Sequence, residues 1–353
     1  CMFRVTIRLC FTMNSFDQAA NPLMQPQTAE DCFADTTFKD TGGSPLLLGL
    51  AAELHGQTMH AEICRAVLKR AGIVERDPPH PEINTMHTTA GTALHWACAQ
   101  RLVDESLALL ACRHFTLLNA KRKSDGSTAL HIAAAEGMDA VVESMLLHPD
   151  SVEATAIDAD GFTPLHGAAY NGHTTIVRRL LAVHEFSHKV GVLGAFDTLR
   201  PAGHWAAEAA ADYDVCSALH MAATQGHAQI CDLILSRGPA ETTAADATNR
   251  VSATALHMAA RKGHTAACLT ILKHSEFTAV DAKDVKGFTA LHWAAHQPSG
   301  EICAAILARS DLRAADVEAK DLKGRTAADI AKDSGHHEVY RLILYHVGAE
   351  GTQ

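Results

Sequence analysis

The sequence predicts an all-α solenoid made of stacked helix-turn-helix repeats. A phrase close to Thr-Ala-Leu-His-x-Ala-Ala occurs six times, and its histidines are His95, His131, His166, His220, His257 and His292. Successive histidines lie 36, 35, 54, 37 and 35 residues apart. A nearly constant period of this length is typical of a linear array in which each unit contacts only its neighbours. The composition agrees, because only 5% of the residues are aromatic and small apolar side chains let helices pack closely.

The copy around His166 shows the elements of one unit in order. Gly161 favours a turn, because glycine adopts a positive φ without the steric cost of a Cβ atom. Thr163 suits the N-cap of a first helix, and Pro164 suits its first position, where the missing N–H is not needed. Gly172 suits the left-handed end of that helix. A second helix is predicted by an apolar stripe that consists of Ile176, Val177, Leu180 and Leu181.

This unit resembles the ankyrin repeat, which has a period of roughly 33 residues and the pattern T-P-L-H-x-A. The resemblance covers residues 44–347. It implies that each repeat has a β-turn finger followed by two antiparallel helices, and that the repeats stack into a curved array. It also implies that the motif histidine hydrogen-bonds near the start of the first helix and ties adjacent turns together. The function it implies is protein binding without catalysis.

The array is predicted to hold about eight repeats, of which the six strong copies are repeats two to seven. The predicted organisation is a loose N-terminal extension at 1–43, the array at 44–347 with a long insert at 184–212, and a tail at 348–353. Repeat one is degenerate, and repeat eight carries Asp329 in place of the motif histidine, as a polar terminal cap would. The insert is expected to weaken one interface, so that repeats one to four and five to eight unfold separately.

The charge and hydropathy patterns restrict the kinds of partner. The net charge of −10 argues against nucleic acid, which binds basic surfaces. No stretch approaches the ~18 apolar residues of a transmembrane helix, so no membrane insertion is expected. The apolar run at the N-terminus is interrupted by Arg4 and Arg8, which makes it a poor signal peptide. We therefore expect a monomer in the cytoplasm or the nucleus that binds a protein partner.

The first residue, Cys1, keeps a second hypothesis open. Met2 or Met13 is an alternative initiator, and the sequence could be the ankyrin fragment of a larger signalling, channel or adaptor protein. Under either hypothesis the role of the array is to bind protein.

The cysteines and histidines follow the phase of the repeats, so no cofactor, disulfide or metal site is predicted. Cys231, Cys268 and Cys303 occupy the position of Val177 in later repeats and are expected to be small core residues. A second set of histidines follows the helix-ending glycine and is also a feature of the repeat. Its members are His173, His227, His264 and His336.

One motif supports a different class of function. His184, Glu185 and His188 form H-E-x-x-H, the pattern of a zinc-dependent hydrolase, and Glu208 could be a third ligand. The pattern alone is weak support, because a chain so rich in histidine and glutamate matches it easily by chance. It is kept as a minor alternative.

Internal alignment favours an inter-repeat turn at this motif. Counted from the motif histidines, residues 185–187 superpose on 276–278, and Phe115 shares the phase of Phe186. We therefore expect Phe186 to pack under the turn that follows a second helix. No G-x-S-x-G, Walker A or G-x-G-x-x-G motif occurs, so the protein is predicted not to be an enzyme.

The binding surface is predicted at the positions where the copies differ, because the shared positions form the core. These positions are the finger tips and the two residues after the paired alanines. The side chains of Phe162, Tyr170 and Phe288 are expected to point outward as interface anchors. The alternative is that Phe162 and Phe288 pack between adjacent fingers. The complete predicted set is Asp160, Phe162, Tyr170, Asn171, Arg250, Arg261, Lys262, Lys286, Phe288, His296 and Gln297.

Overall fold

The computed structural model describes residues 58, 60–61, 83–87, 90–150, 152–183, 217–236 and 245–350. All of them belong to one structural unit, Ala52–Gln353. The predicted N-terminal extension at 1–43 and the insert at 184–212 lie outside the described residues, as does most of repeat one. The fold is therefore described from repeat two onward.

Each of repeats two to eight contains two consecutive helices. The first helices are α1 (Ala93–Ala99), α3 (Ala129–Ala135), α5 (Pro164–Asn171), α7 (Ala218–Gln225), α9 (Ala255–Lys262), α11 (Ala290–Ala295) and α14 (Ala327–Asp333). The second helices are α2 (Val103–Leu110), α4 (Asp139–Leu146), α6 (Thr174–Ala182), α8 (Ala228–Leu235), α10 (Thr265–Lys273), α12 (Glu301–Leu307) and α15 (His337–Glu350). A one-turn helix, α13 (Ala314–Val317), lies between α12 and α14. No strand occurs among the described residues, where an isolated bridge joins His87 and Gly91.

The helices form two continuous rows. Each first helix packs against the first helix of the next repeat, and each second helix packs against the next second helix. The row passes directly from α5 to α7 and from α6 to α8, so the long interval of chain between repeats four and five interrupts neither row. The predicted all-α solenoid is confirmed.

Repeat four forms the elements that its residues predict. Thr163 is the N-cap of α5, Pro164 is the first helical residue, and Gly172 ends the helix with a left-handed φ of 83°. The four residues of the apolar stripe on α6 are all buried. The other residues of α6 are exposed or half-buried. A short helix of this kind is stabilised mainly by burying its apolar stripe, so α6 depends on the neighbouring repeats.

Two boundaries differ from the simple pattern. Arg101 stands where other repeats end the first helix with glycine, and it adopts the same left-handed region with φ 57°. Its side chain is held by repeat three, since its Nη2 donates to the Glu136 carbonyl at 2.6 Å. The last helix, α15, continues to Glu350, beyond the array boundary predicted at residue 347. Val339 and Ile343 of α15 are buried, whereas Leu344 and Tyr345 are exposed.

The core contains the residues that repeat phase predicts. Cys231, Cys268 and Cys303 are fully buried, and burial raises the pKa of each thiol to about 12. Phe115 and Phe277 are also buried, at the turns that follow second helices, whereas Phe186 lies outside the described residues. Among the helices that the structure describes, none combines the length and apolar character required to cross a bilayer.

The glycine at the end of α7 is required for two separate reasons. Gly226 has a φ of 80°, and a Cβ atom there would lie 2.7 Å from Nδ1 of His264. The His264 ring is fixed, because its Nε2 lies 3.0 Å from the Thr224 carbonyl oxygen. Gly335 has a similar φ of 77°, yet a Cβ atom there would meet nothing within 4 Å.

We expect Gly226→Ala to destabilise the protein more than Gly335→Ala. The left-handed backbone costs about 1–2 kcal/mol at both positions, and the clash with the imidazole adds roughly a further 1 kcal/mol at Gly226. Urea unfolding of both variants measures the difference. Equal losses would show that the His264 ring moves away without cost.

Candidate partner-binding surface

The motif histidines bridge successive repeats. In repeat three the Thr128 N–H donates to Nδ1 of His131 at 3.1 Å, so Nδ1 is the unprotonated nitrogen. Nε2 of His131 lies 3.0 Å from the Phe162 carbonyl oxygen, which can only accept, so Nε2 carries the hydrogen. The same link to the next finger joins His95 to Ser127, His220 to Ala253, His257 to Phe288 and His292 to Arg325. The role predicted for these histidines, a bond at the helix start and a tie to the adjacent turn, is confirmed.

These imidazoles are held in the neutral form. Burial lowers the pKa of His95, His131 and His220 to about 4, and it also lowers the pKa of His257 and His292. A second proton at Nδ1 would remove the acceptor of the N-cap N–H. The motif histidines are thus committed to the joints between repeats.

The histidines after the helix-ending glycine make the reverse link. Nε2 of His173 lies 3.0 Å from the Ala135 carbonyl oxygen of the preceding repeat. His227, His264 and His336 make the equivalent contact with the carbonyls of Tyr170, Thr224 and His296. In repeat seven Gln297 replaces the histidine, and its Nε2 donates to the Arg261 carbonyl at 3.0 Å. Gln297, one of the predicted surface residues, is therefore used between repeats.

The fingers of repeats three, four, six, seven and eight are each shaped by an acidic or amide side chain at the base. In repeat seven Oδ1 of Asp284 accepts from the N–H groups of Lys286 at 2.8 Å and Phe288 at 2.9 Å. The Leu322 N–H of the next finger donates to the Lys286 carbonyl at 3.1 Å, and Val285 donates to Val251 of the preceding finger at 3.0 Å. The finger tips of repeats six, seven and eight consequently form one row.

The predicted surface residues of repeat four are only partly available. Phe162 is half-buried, with its ring centroid 5.5 Å from that of His166, and Tyr170 is half-buried against the core. Asn171 is exposed, but its amide donates to a carbonyl of repeat three at 2.9 Å. Asp160 is half-buried at the finger turn, where its N–H donates to the carboxylate at the finger base. Repeat four therefore presents edges of aromatic rings rather than free side chains.

The prediction that Phe288 points outward is wrong. Its exposed fraction is 7%, and the aromatic rings around it belong to its own repeat and not to an adjacent finger, as the alternative had it. Its ring centroid lies 4.9 Å from that of Trp293 and 5.4 Å from that of His292. His296, which is exposed, covers a further side of the ring at 6.1 Å. Burial of the phenyl ring among three aromatic neighbours outweighs the outward position that the repeat phase suggests.

Two of the remaining predicted residues, Arg261 and Lys286, lie over a side chain that the prediction missed, Trp293. The Cζ atom of Arg261 lies 5.8 Å from the Trp293 ring centroid, and Nζ of Lys286 lies 5.7 Å from it. Nε1 of Trp293 donates to Oδ2 of Asp284 at 3.0 Å. Lys262 is an exposed neighbour of Arg261 in the chain, and Arg250 is exposed on the finger of repeat six.

One signal in the sequence could have identified Trp293. The chain has three tryptophans, and two of them, Trp96 and Trp293, occupy the variable position of Leu-His-x-Ala-Ala. Asp284 stands nine residues before Trp293, whereas His87 stands nine residues before Trp96. With no carboxylate in that place, Nε1 of Trp96 is buried without a hydrogen-bond partner among the described residues. The tryptophan of repeat seven is the one that the finger holds in place.

The metal hypothesis rests on residues that the structure does not describe. His184, Glu185, His188 and Glu208 all lie outside the described residues. Within the part of the chain that is described, no group of three His, Cys, Asp or Glu side chains could hold a metal ion. The hypothesis stays untested.

A family model for ankyrin repeats matches the chain at 104–191, 131–240, 204–281 and 268–353, which together make up more than half of its length. The chain belongs to the ankyrin-repeat family. The crystal structure of the human ASB11 ankyrin repeat domain is similar, with a TM-score of 0.52 and 21% sequence identity. The alignment covers 72% of this chain and 96% of that domain. This likeness confirms the ankyrin fold.

Two curated relatives match shorter parts of the ankyrin array. The putative ankyrin repeat protein FPV031 of fowlpox virus is 31% identical over 101 residues, which are 28% of this chain and 29% of that protein. The SMC5-SMC6 complex localization factor protein 1 of Bos taurus is 38% identical over 90 residues, 26% of this chain and 8% of that protein. The chain thus spans less than a third of either relative. Ankyrin repeats are protein-interaction modules, and this array is one.

Proposed function

We propose that this array is a non-catalytic scaffold that binds one protein partner through its finger tips and the ends of its first helices. The observation that carries the proposal is the surface around Trp293. There a half-buried aromatic ring, two cations and an exposed imidazole come from two adjacent repeats and are held in fixed positions. Aromatic and arginine side chains of this kind dominate the energy of protein interfaces.

The residues that the repeats share are used inside the stack, which leaves the variable residues to contact a partner. Motif histidines, post-glycine histidines and paired alanines are all used within the stack. Side chains that differ between repeats remain at the finger tips and helix ends, where a partner can distinguish one repeat from another. We further propose that the protein acts as a monomer in the cytoplasm or the nucleus, on its own or as part of a longer signalling, channel or adaptor protein.

Affinity capture from the native cell, followed by mass spectrometry, tests this proposal. We expect Tyr170→Ala and Arg261→Ala to reduce recovery of the partner at least about fivefold, because rim and anchor residues contribute about 1 kcal/mol or more each. Arg178→Ala is the matched control, since Arg178 is exposed on the second helix α6. Circular dichroism melts check that all three variants fold.

The opposite pattern would contradict the proposal. If the partner is lost with Arg178→Ala and retained with both other variants, the second-helix side of the array is the binding surface.

A further inference from the structure

Positive charge is concentrated on one face of an acidic protein. Segments 249–263, 283–297 and 320–335 contain the fingers and first helices of repeats six to eight, and they hold nine Lys and Arg but four Asp. The whole chain has a net charge of −10. All nine cations are exposed or half-buried, and they are Arg250, Arg261, Lys262, Lys283, Lys286, Lys320, Lys323, Arg325 and Lys332. We call Arg250, Arg261, Lys262, Lys286 and Lys323 the basic face.

Three of the four aspartates in these segments are used in hydrogen bonds within the fold. Asp284 and Asp321 are buried at the bases of their fingers, where each accepts two backbone N–H groups. Asp321 also pairs with Arg325 at 2.9 Å. Asp329 caps its own helix, because its Oδ2 accepts from the Thr326 N–H at 2.9 Å. Two of the four negative charges, those of Asp284 and Asp321, are therefore buried, and a third, that of the exposed Asp329, is hydrogen-bonded to its own helix start.

The lysines of the basic face have no internal counter-ion. Within the described residues no carboxylate lies at ion-pair distance from Lys262, Lys286 or Lys323. By contrast, Arg179 pairs with Glu143 and Arg309 pairs with Asp311, both at 2.6 Å. Three unpaired ammonium groups on neighbouring repeats leave a positive potential that the fold does not neutralise.

Two features fix this charge in space. The backbone bonds between finger tips place Lys286 and Lys323 on consecutive rungs of one row. The Trp293 ring holds Arg261 and Lys286 by cation–π contacts at 5.8 and 5.7 Å. Cations held in place before binding lose less conformational entropy when a ligand arrives.

We infer that the basic face binds an extended acidic segment of the partner protein, whose carboxylates pair with the lysines of successive fingers. This inference rests on the proposed function and names the partner's chemistry. A protein segment fits better than nucleic acid, because a polyanion that continues past the face meets the remainder of the array, which is acidic in composition. A short acidic segment ends before that repulsion is felt.

Fluorescence anisotropy with the purified full chain tests the inference. The probe is a fluorescein-labelled peptide of 12 residues, a length of about 40 Å when extended, in which Glu alternates with Ser. We expect binding that weakens as salt is raised, and at least a tenfold loss of affinity in the triple variant Lys262→Glu, Lys286→Glu, Lys323→Glu. The control Lys273→Glu reverses an exposed lysine on the second helix α10 of repeat six and should leave affinity unchanged.

Three outcomes would overturn the inference. The first is equal binding of the same peptide with Gln in place of Glu, and the second is an equal loss of affinity with Lys273→Glu. The third is tighter binding of a single-stranded oligothymidine than of the peptide, with loss in the triple variant, which would assign the face to nucleic acid. If the Glu peptide fails to bind while partner capture still depends on Tyr170 and Arg261, the scaffold function stands and the acidic-segment inference falls.

Discussion

Lowering the pH from 6.5 to 4 is expected to unfold the array. The motif histidines must be neutral in the folded state, because Nδ1 accepts the N-cap N–H and burial disfavours the imidazolium. Their folded pKa values lie below the unfolded value of about 6.5. The unfolded chain therefore binds more protons between these values, so stability is complete above pH 6.5 and is lost as the pH falls towards 4.

The size of the effect follows from the number of histidines. For each of His95, His131 and His220, burial lowers the pKa from 6.5 to about 4. Each of these shifts lowers the free energy of unfolding by about 3 kcal/mol once the histidine is fully protonated in the unfolded chain. The effect is partly offset, since burial raises the pKa of Asp158 to about 6 and this carboxyl favours folding as the pH falls. Several kcal/mol remain, which is a large fraction of the stability of an ordinary domain.

Urea unfolding at pH 7.0, 6.0 and 5.0 measures this loss. A His220→Gln variant is the internal check. It should be less stable than the unaltered protein at pH 7.0. Its free energy of unfolding should fall less on acidification, because it has one fewer histidine that binds a proton on unfolding. A free energy of unfolding that stays constant from pH 7.0 to 5.0 would refute the assignment of neutral, acceptor imidazoles.

Truncation of a motif leucine is expected to destabilise one side of the array more than the other. Leu256 and Leu130 occupy equivalent positions in α9 and α3, and both have an exposed fraction of 0%. Either change to alanine should cost about 2–5 kcal/mol through lost burial and a cavity. Stability in a repeat array is a sum of repeat and nearest-neighbour terms, so the damage should be greatest around the altered repeat.

Hydrogen exchange separates the two sides. We expect Leu256→Ala to reduce protection mainly in repeats five to eight, and Leu130→Ala to do so mainly in repeats two to four. The link from His227 to the Tyr170 carbonyl joins the two sides and will carry part of the effect across. Equal loss of protection throughout the array in both variants would exclude separate unfolding.

The features that repeat in the sequence could be predicted from it, and those that arise between unlike repeats could not. Thr163, Pro164 and Gly172 each have a local conformational preference that specifies a helix end, and the structure places them there. The motif histidine was also predictable, because every copy presents the same donor and acceptor to the same neighbours. Local preference and repetition agree at these positions, which is why the fold could be read directly.

Whether a variable residue is exposed or buried depends on the side chains that lie next to it. Phe288 is buried because Trp293 and His296 happen to stand beside it in repeat seven, whereas Phe162 in repeat four has Gly167 at the position of Trp293 and stays half-buried. Gln297 stands five residues after His292, whereas the post-glycine histidines stand seven residues after the motif histidine, so repeat phase did not reveal its bond to the Arg261 carbonyl. A pattern shared by the repeats does not carry this information, since each outcome depends on the particular side chains of one repeat and of its neighbour.

The bond from His227 to the Tyr170 carbonyl crosses 57 residues of sequence, whereas its counterparts at His173, His264 and His336 cross 38 or 40. The spatial step between repeats is therefore set by imidazole–carbonyl pairing and not by the length of polypeptide that connects them. The downstream repeats continue both helix rows across the longer interval between Val183 and Ser217. We expect this joint to accept grafted cargo or new termini, since α5 packs against α7 and α6 against α8 across the longer interval.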